Sequence, residues 1–361
     1  MFDFDEIASL KPFALDREAK ESLFLRALGD LTAFHRQRCG DYRRIVDGLG
    51  FDASRVRDVL DFPFIPAGLF KMRDLSSVDR SLVIKTVTSS GTTGQAASRI
   101  FLDRNTAASQ TKALVRIVSD FIGNKRLPML IVDSRDVLKN RASFSARGAG
   151  ILGFSMLGRD VTYILDERMD LDFNATESFL ERHAGEDILL FGFTFMIWEY
   201  LYKALRRAGK WLPIERGVMI HGGGWKKLQS EAVSPDAFKD ALRDVCGLRR
   251  VYNYYGTAEQ TGSIFMECCE GRLHCSVFSD IAIRDHRDFS PCQVGTSGLI
   301  EMISLLPRSY PGHVILTEDL GRLTGIDDCP CGRLGKTFSV EGRIPRAETR
   351  GCSDTYEKRH A

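Results

Sequence analysis

Over residues 16–38 the apolar positions Leu23, Phe24, Ala27, Leu28, Leu31 and Phe34 recur at steps of three and four, so one stripe of a helix is expected to be buried. A shorter helix is expected over 41–49. The stretch DFPFIPAGLFKMRDL (61–75) carries two prolines and no clear period, and reads as an extended connection. Short strands alternating with helices follow. The expected strands are SLVIKTVT (81–88), PMLIVDS (128–134), DILLFGF (187–193), GVMIH (217–221) and RRVYNYY (249–255), with helices between them over 105–121 and 235–245. After Gly262 the runs SDIAIRD, SGLIEMISL and HVILTEDL read as strands without helical partners. The pattern predicts an α/β fold in three parts: a helical region 1–80, an α/β core 81–262 and a β-rich part 263–361.

Composition narrows the function. Fifty basic residues against 48 acidic ones leave a net charge of +2, too balanced for a general nucleic-acid binder. No apolar run is long enough to span a bilayer, and the acidic start MFDFDEIASL lacks the basic and apolar parts of a signal peptide. A cytoplasmic location is the expectation. Of nine cysteines, Cys268, Cys269, Cys275, Cys329 and Cys331 cluster late in the chain, which in a reducing compartment points to metal or thiol chemistry more than to disulfides.

The run TVTSSGTTGQAAS (86–98) follows a predicted strand and, after SRIFLDR, precedes a helical pattern. Glycines let backbone fold closely around an oxyanion, and Ser and Thr hydroxyls donate to it. The run is not a Walker A loop, because no lysine follows Gly94. Taken alone it fits a phosphate cradle and an ordinary Gly/Ser connection equally well.

Three later motifs break that tie. SSGTTG (89–94), YYGTAE (254–259) and TEDLGR (317–322), followed by EGR (341–343), resemble the ordered core motifs of the adenylate-forming superfamily. FPFIPAGLFK, HGGGWKK, LLPRSYPGHVILTEDLGR, CPCGRLGK and GRIPRAETRGCSDTY make nearly the whole chain similar to the LuxE-type acyl-protein synthetases, with phenylacetate-CoA ligases as more distant relatives. The resemblance implies the large N-terminal domain of that superfamily with a helical extension in front, and without the usual small C-terminal domain and its catalytic lysine.

It also implies a first reaction in which a carboxylic acid and ATP give acyl-AMP and pyrophosphate. Attack of a carboxylate on a phosphate brings negative charges together, so donors and a cation are needed. By resemblance Ser89, Ser90, Gly91, Thr92, Thr93 and Gly94 hold the phosphates, and Glu259 binds Mg²⁺, which favours hard carboxylate oxygens. Ala258 stands where many relatives have threonine. His221, Gly222, Gly223 and Gly224 would line the adenine site with Tyr254, Tyr255, Gly256 and Thr257, although a structural histidine in a tight turn reads as well. Asp319 would take the ribose hydroxyls, with Arg343 nearby. The aspartate usual after that arginine is absent. Lys226 or Lys227, of which we single out Lys227, could supply the cation that the missing lysine would have given.

An acyl tail calls for an apolar pocket, for which FGFTFMIWEYL (191–201) and GAGILGF (148–154) are the candidates, though a helical core stripe explains them as well. Gly148, Gly150 and Gly153 spell GxGxxG, but ASFSAR before them is a poor strand, so the match is taken as chance.

Two cysteine groups remain. Cys268, His274, Cys329 and Cys331 could bind Zn²⁺ tetrahedrally, with Cys269 and Cys275 as alternative ligands, or could be buried reduced thiols. Cys352 lies among Arg346 and Arg350, which can lower a thiol pKa. It matches the C-terminal cysteine that accepts the acyl group as a thioester in the acyl-protein synthetases. The leading expectation is an ATP- and Mg²⁺-dependent acyl-protein synthetase that captures a carboxylic acid of the fatty class on Cys352 and passes it to an acyl-CoA reductase-type or carrier-protein partner. A ligase acting on CoA, and a catalytically silent scaffold, are the alternatives.

Overall fold

The computed structural model describes residues 2–89, 97–138 and 144–344. These fall into two compact units, one built from 2–117 and 256–344 and the other from 118–255. The units do not follow the three linear segments drawn from the sequence, because the N-terminal helices pack on strands from the far end of the chain.

The first unit opens with α1 (Phe4–Ser9), α2 (Arg17–Arg38) and α3 (Gly40–Gly48). Asp16 caps α2 by accepting from Ala19 N at 2.9 Å, and His35, Arg36 and Arg38 face the negative end of the helix dipole. Its buried face is Phe24, Ala27, Leu28 and Leu31, as the spacing predicts, but it continues through Thr32 and His35 while Phe34 stays half exposed. The proline-rich connection contains β1 (Ile65–Pro66) and α4 (Leu69–Met72). Next come β2 (Val83–Thr88), β3 (Arg99–Asp103) and α5 (Arg104–Ile122). The sequence reading has no strand at β3. The glycine and hydroxyl run therefore joins two antiparallel strands, with Thr88 opposite Arg99, and does not lead straight into a helix.

The second unit is a parallel sheet. It contains β4 (Leu127–Ser134), a two-residue β5 (Phe144–Ser145), α6 (Ala146–Ser155), β6 (Gly158–Leu165), α7 (Phe173–Arg182) and β7 (Ile188–Phe193). A π-turn (Ile197–Tyr202) then joins α8 (Thr194–Met196) to α9 (Lys203–Ala208), before β8 (Gly217–Gly222), α10 (Pro235–Cys246) and β9 (Arg250–Tyr255). Five strands run parallel in the order β6-β4-β7-β8-β9, and β4 and β7 are apolar and buried throughout or nearly so. The chain steps from β4 to β6 on one side and then crosses back to β7. Ligands of open α/β sheets bind at the carboxyl ends of strands beside such a reversal.

The first unit resumes with β10 (Phe265–Glu267), β11 (Leu273–His274), β12 (Ser279–Arg284), β13 (Ser297–Ser304), β14 (Val314–Ile326) and β15 (Lys336–Arg343). They pair antiparallel in the order β12-β13-β14-β15-β11-β10, while β1 joins β14 in parallel with Ile65 opposite Ile315. Polar contacts explain why this part gathers the N-terminal helices: Thr32 Oγ1 and His313 Nε2 are 3.0 Å apart, His35 Nε2 meets Pro307 O at 3.1 Å, and Lys20 pairs with buried Asp280 at 3.5 Å. Such groups are dry and must find one another.

Candidate functional site

In the second unit Gly222 ends β8 and Gly223 and Gly224 follow it, and the first two have different reasons to be glycine. A Cβ on Gly222 would lie 2.5 Å from the Tyr254 ring, its register neighbour on β9. Gly223 has φ +71°, and Gly224 faces open space. A flat aromatic face thus lies directly against backbone at Gly222. His221 is buried, and its Nδ1 is 3.0 Å from Thr194 Oγ1, which also lies 3.2 Å from Gly222 O. The carbonyl can only accept, so the hydroxyl donates to it and His221 Nδ1 carries the proton. Burial, helped by Lys239, lowers the His221 pKa to about 3 and keeps the ring neutral. These contacts give His221 a structural role at the end of β8. Thr194 escaped the sequence reading, where it is one hydroxyl inside an aromatic run.

The two candidate acyl-pocket segments do meet. Phe154 of α6 stacks on Phe191 of β7 at 4.2 Å and approaches Tyr254 at 5.1 Å, and a Cβ on Gly150 would sit 3.5 Å from Phe193. Gly148, Gly150 and Gly153 all lie within α6, so they form no strand-to-helix turn of the dinucleotide type. Beside them Arg147 Nε donates to Asp133 Oδ2 at 2.6 Å, and its Nη2 pairs with Oδ1. Both side chains are buried, Asp133 near the carboxyl end of β4 and Arg147 in the first turn of α6. The sequence reading passed over this pair. Its signal was there in PMLIVDS, since an acid in an otherwise apolar strand requires a buried cation.

In the first unit, Ser89 and Ser98 close the base of the glycine and hydroxyl run. Ser89 N donates to Ser98 O at 3.2 Å, and Ser98 N to Ser89 Oγ at 2.9 Å. Ser90, Gly91, Thr92, Thr93 and Gly94 lie outside the described residues, as do Cys352 and the side chains of Lys226 and Lys227. Gly256 and Thr257 lead into a 3-10 turn, Ala258–Gln260, which holds Glu259. Gln260 pins the turn, its Nε2 donating to Met302 O at 3.0 Å and Gly312 O at 2.8 Å. Burial pushes the Glu259 carboxyl pKa up, while Ser98, Lys71 and Arg343 pull it down. Arg343 Nε also donates to Asp319 Oδ1 at 2.8 Å. One guanidinium therefore acts on residues of YYGTAE and TEDLGR at once.

Also in the first unit, ligand atoms of Cys268, His274, Cys329 and Cys331 all lie within 4.8 Å of one another. Cys268 Sγ and Cys329 Sγ are 3.7 Å apart, and Cys331 Sγ and His274 Nε2 are 3.4 Å apart. Tetrahedral zinc with bonds of about 2.3 Å to sulfur and about 2.0 Å to nitrogen requires about 3.8 Å between sulfurs and about 3.5 Å from sulfur to nitrogen. Burial first, then Arg333, Arg272 and Lys20, lower the His274 pKa to about 4, so the ring is neutral, as a ligand must be. The alternatives fit less well, since Cys269 is exposed and Cys275 falls outside the group.

Among the described residues no helix is long and apolar enough to cross a membrane. A sequence profile of the family described as acyl-protein synthetase, LuxE, matches residues 3–360. The long-chain-fatty-acid–luciferin-component ligase of Vibrio harveyi is 25% identical over 345 residues, 93% of this chain and 88% of the relative. The ligase of the same name from Aliivibrio fischeri is 21% identical over 97% of this chain and 92% of its own. A crystal structure of 2-hydroxyisobutyryl-CoA ligase in an open conformation, with 2-HIB-AMP and CoA, aligns with a TM-score of 0.70 at 15% identity, over 93% of this chain and 77% of that one. The fold is that of adenylate-forming ligases, and the chain belongs to the LuxE acyl-protein synthetase family.

Proposed function

We propose that this chain uses ATP to activate a fatty acid as acyl-AMP, takes the acyl group onto Cys352, and hands it to a partner protein of the acyl-CoA reductase or carrier type. The carrying observation is Arg343, which pairs with Asp319 and acts on Glu259, so that residues of three separated motifs share one charge. The names of the Vibrio and Aliivibrio relatives support the fatty class of the acid.

In this reading a carboxylate oxygen of the acid attacks the α-phosphorus, and the bond to the pyrophosphate oxygen breaks. Asp319, oriented by Arg343, accepts from the ribose hydroxyls. Tyr254, against the backbone of Gly222, offers a face to the adenine. The run 89–94 and Lys227 supply donors and positive charge to the phosphates. Glu259 would hold Mg²⁺, which supplies positive charge at the triphosphate; a buried carboxylate among polar groups suits that hard ion. The Cys352 thiol then gives its proton to solvent, the thiolate attacks the acyl carbonyl, and the bond from the acyl carbon to the phosphate oxygen breaks as AMP leaves. Cys268, His274, Cys329 and Cys331 would hold Zn²⁺ as a clasp between β segments, without a part in the chemistry.

Labelled fatty acid and ATP test the whole sequence. Wild type becomes labelled by a hydroxylamine-sensitive bond, whereas Cys352→Ser releases pyrophosphate but stays unlabelled. Equal labelling of the variant removes Cys352 from the mechanism, and release of free acyl-CoA independent of Cys352 favours a CoA ligase. No ATP–pyrophosphate exchange with any of a broad panel of acids would favour a silent scaffold.

A further inference from the structure

Around the YYGTAE turn, several buried polar atoms make no well-formed hydrogen bond among the described residues, including Gln110 Nε2, Thr257 Oγ1, Gln260 Oε1 and Tyr310 Oη. Each forfeits the hydrogen bond it would make to water, and folded proteins tolerate few of them. Several in one place call for a shared explanation.

The packing there is close. A Cβ on Gly312 would overlap the Tyr310 ring and lie 3.1 Å from Glu259 O, so only glycine lets the ring and the Glu259 backbone come this near. Gly262, at φ +86°, admits α5 so closely that a Cβ would lie 2.7 Å from that of Gln110. Phe70 meets the Tyr310 ring edge-on at 6.0 Å and fixes its direction. The Tyr310 hydroxyl is within electrostatic reach of Glu259, and the Gln110 side chain interacts with it. Tyr310 and Gln110 thus bring a phenol and an amide with hydrogen-bonding capacity to spare to the residue proposed to hold the cation.

We propose that Tyr310 and Gln110 are positioning residues for Glu259, whose hydroxyl and amide keep hydrogen-bonding capacity in the resting protein for the hydrated divalent cation that Glu259 binds. This rests on the adenylation reading. Mg²⁺ sheds water reluctantly and keeps several waters when bound, and each needs donors or acceptors around it. A phenol can serve as either, and the amide nitrogen donates. Neither residue was singled out in the sequence, because RSYPGH and the α5 stripe carry no pattern of their own.

The test uses the full chain with Mn²⁺ as the probe cation. Tyr310→Phe keeps the ring and removes one oxygen, and Gln110→Leu removes the amide. Unliganded Tyr310→Phe is expected to melt close to or above the wild-type temperature, since it loses a buried hydroxyl that lacks a well-formed hydrogen bond. In the presence of ATP, Mn²⁺ affinity read by electron paramagnetic resonance is expected to fall about tenfold in each variant. ATP affinity in EDTA should stay at the wild-type value. Unchanged Mn²⁺ affinity overturns the proposal. So does weaker affinity accompanied by a clearly lower melting temperature in Tyr310→Phe, since structural damage then explains both. Wild type that neither binds Mn²⁺ with ATP nor exchanges pyrophosphate sinks the adenylation reading itself, and the proposal with it.

Discussion

Arg343 and Asp319 are register partners across β14 and β15, and Arg343 Nε donates to Asp319 Oδ1 at 2.8 Å. The arginine side chain is 37% exposed, so water screens the pair and it adds only about 0–1 kcal/mol to stability. Its effect is to orient a carboxylate that is otherwise buried. Asp319→Ala should therefore leave the melting temperature nearly unchanged while raising the ATP concentration needed for half-maximal pyrophosphate exchange about tenfold or more. Arg343→Ala should weaken ATP less, and the double variant should cost less than the sum of the two. Additive losses would mean the residues act separately.

Gly222 and Gly224 allow a contrast within one motif. Alanine at 222 places its Cβ in the Tyr254 ring, whereas alanine at 224 meets nothing within 4 Å. Gly222→Ala should lose about 1–3 kcal/mol in urea unfolding, as overpacked sites do, and lose adenine-nucleotide binding as Tyr254 is displaced. Gly224→Ala should keep both. If Gly222→Ala melts lower but binds nucleotide normally, Tyr254 is a packing residue alone.

Much of the fold was legible because it repeats locally. The stripe of α2 and the apolar runs of β4, β7 and β8 emerge from their own periods, with bounds within a residue or two of those expected. What escaped are relationships between distant positions. Ile65 pairs with Ile315, and His35 bonds to Pro307, so the first unit joins both ends of the chain through contacts that no local window registers. β3 was missed because five residues wedged between a loop and a long helix carry too little pattern. Motif order singled out Glu259, Asp319 and Arg343, which the fold brings near one another, but not Asp133 with Arg147, or Tyr310 with Gln110. These are pairings of common residues, and their meaning comes from burial.

The Cys268, His274, Cys329 and Cys331 group should hold one zinc per chain, measurable by elemental analysis of protein purified without chelators. Cys329→Ser, or a strong chelator, should lower the melting temperature as the clasp between β segments opens. Activity at temperatures well below melting should survive if the group, as proposed, serves only as a clasp. Metal-free wild-type protein with an unchanged melting temperature would show the four side chains to be reduced thiols and a core histidine.

His35 makes stability depend on acid. Its Nε2 faces Pro307 O, which can only accept, so Nε2 carries the proton and Nδ1 accepts from Ser77 Oγ at 2.7 Å. The ring also stacks on His313 at 4.9 Å, where a second cation would be repelled. Burial lowers its pKa to about 3, with Arg308 acting in the same direction and the bond to Pro307 opposing. The unfolded chain, with a histidine pKa of about 6.5, binds this proton first as pH falls. Stability from His35 is therefore complete above about pH 6.5 and declines by roughly 1.4 kcal/mol per pH unit towards pH 3. Urea unfolding of wild type between pH 7 and 5 should show this slope, and His35→Gln, less stable at pH 7, should lose about one proton's worth of it. An unchanged slope in the variant would mean that other groups, not His35, set the acid limit.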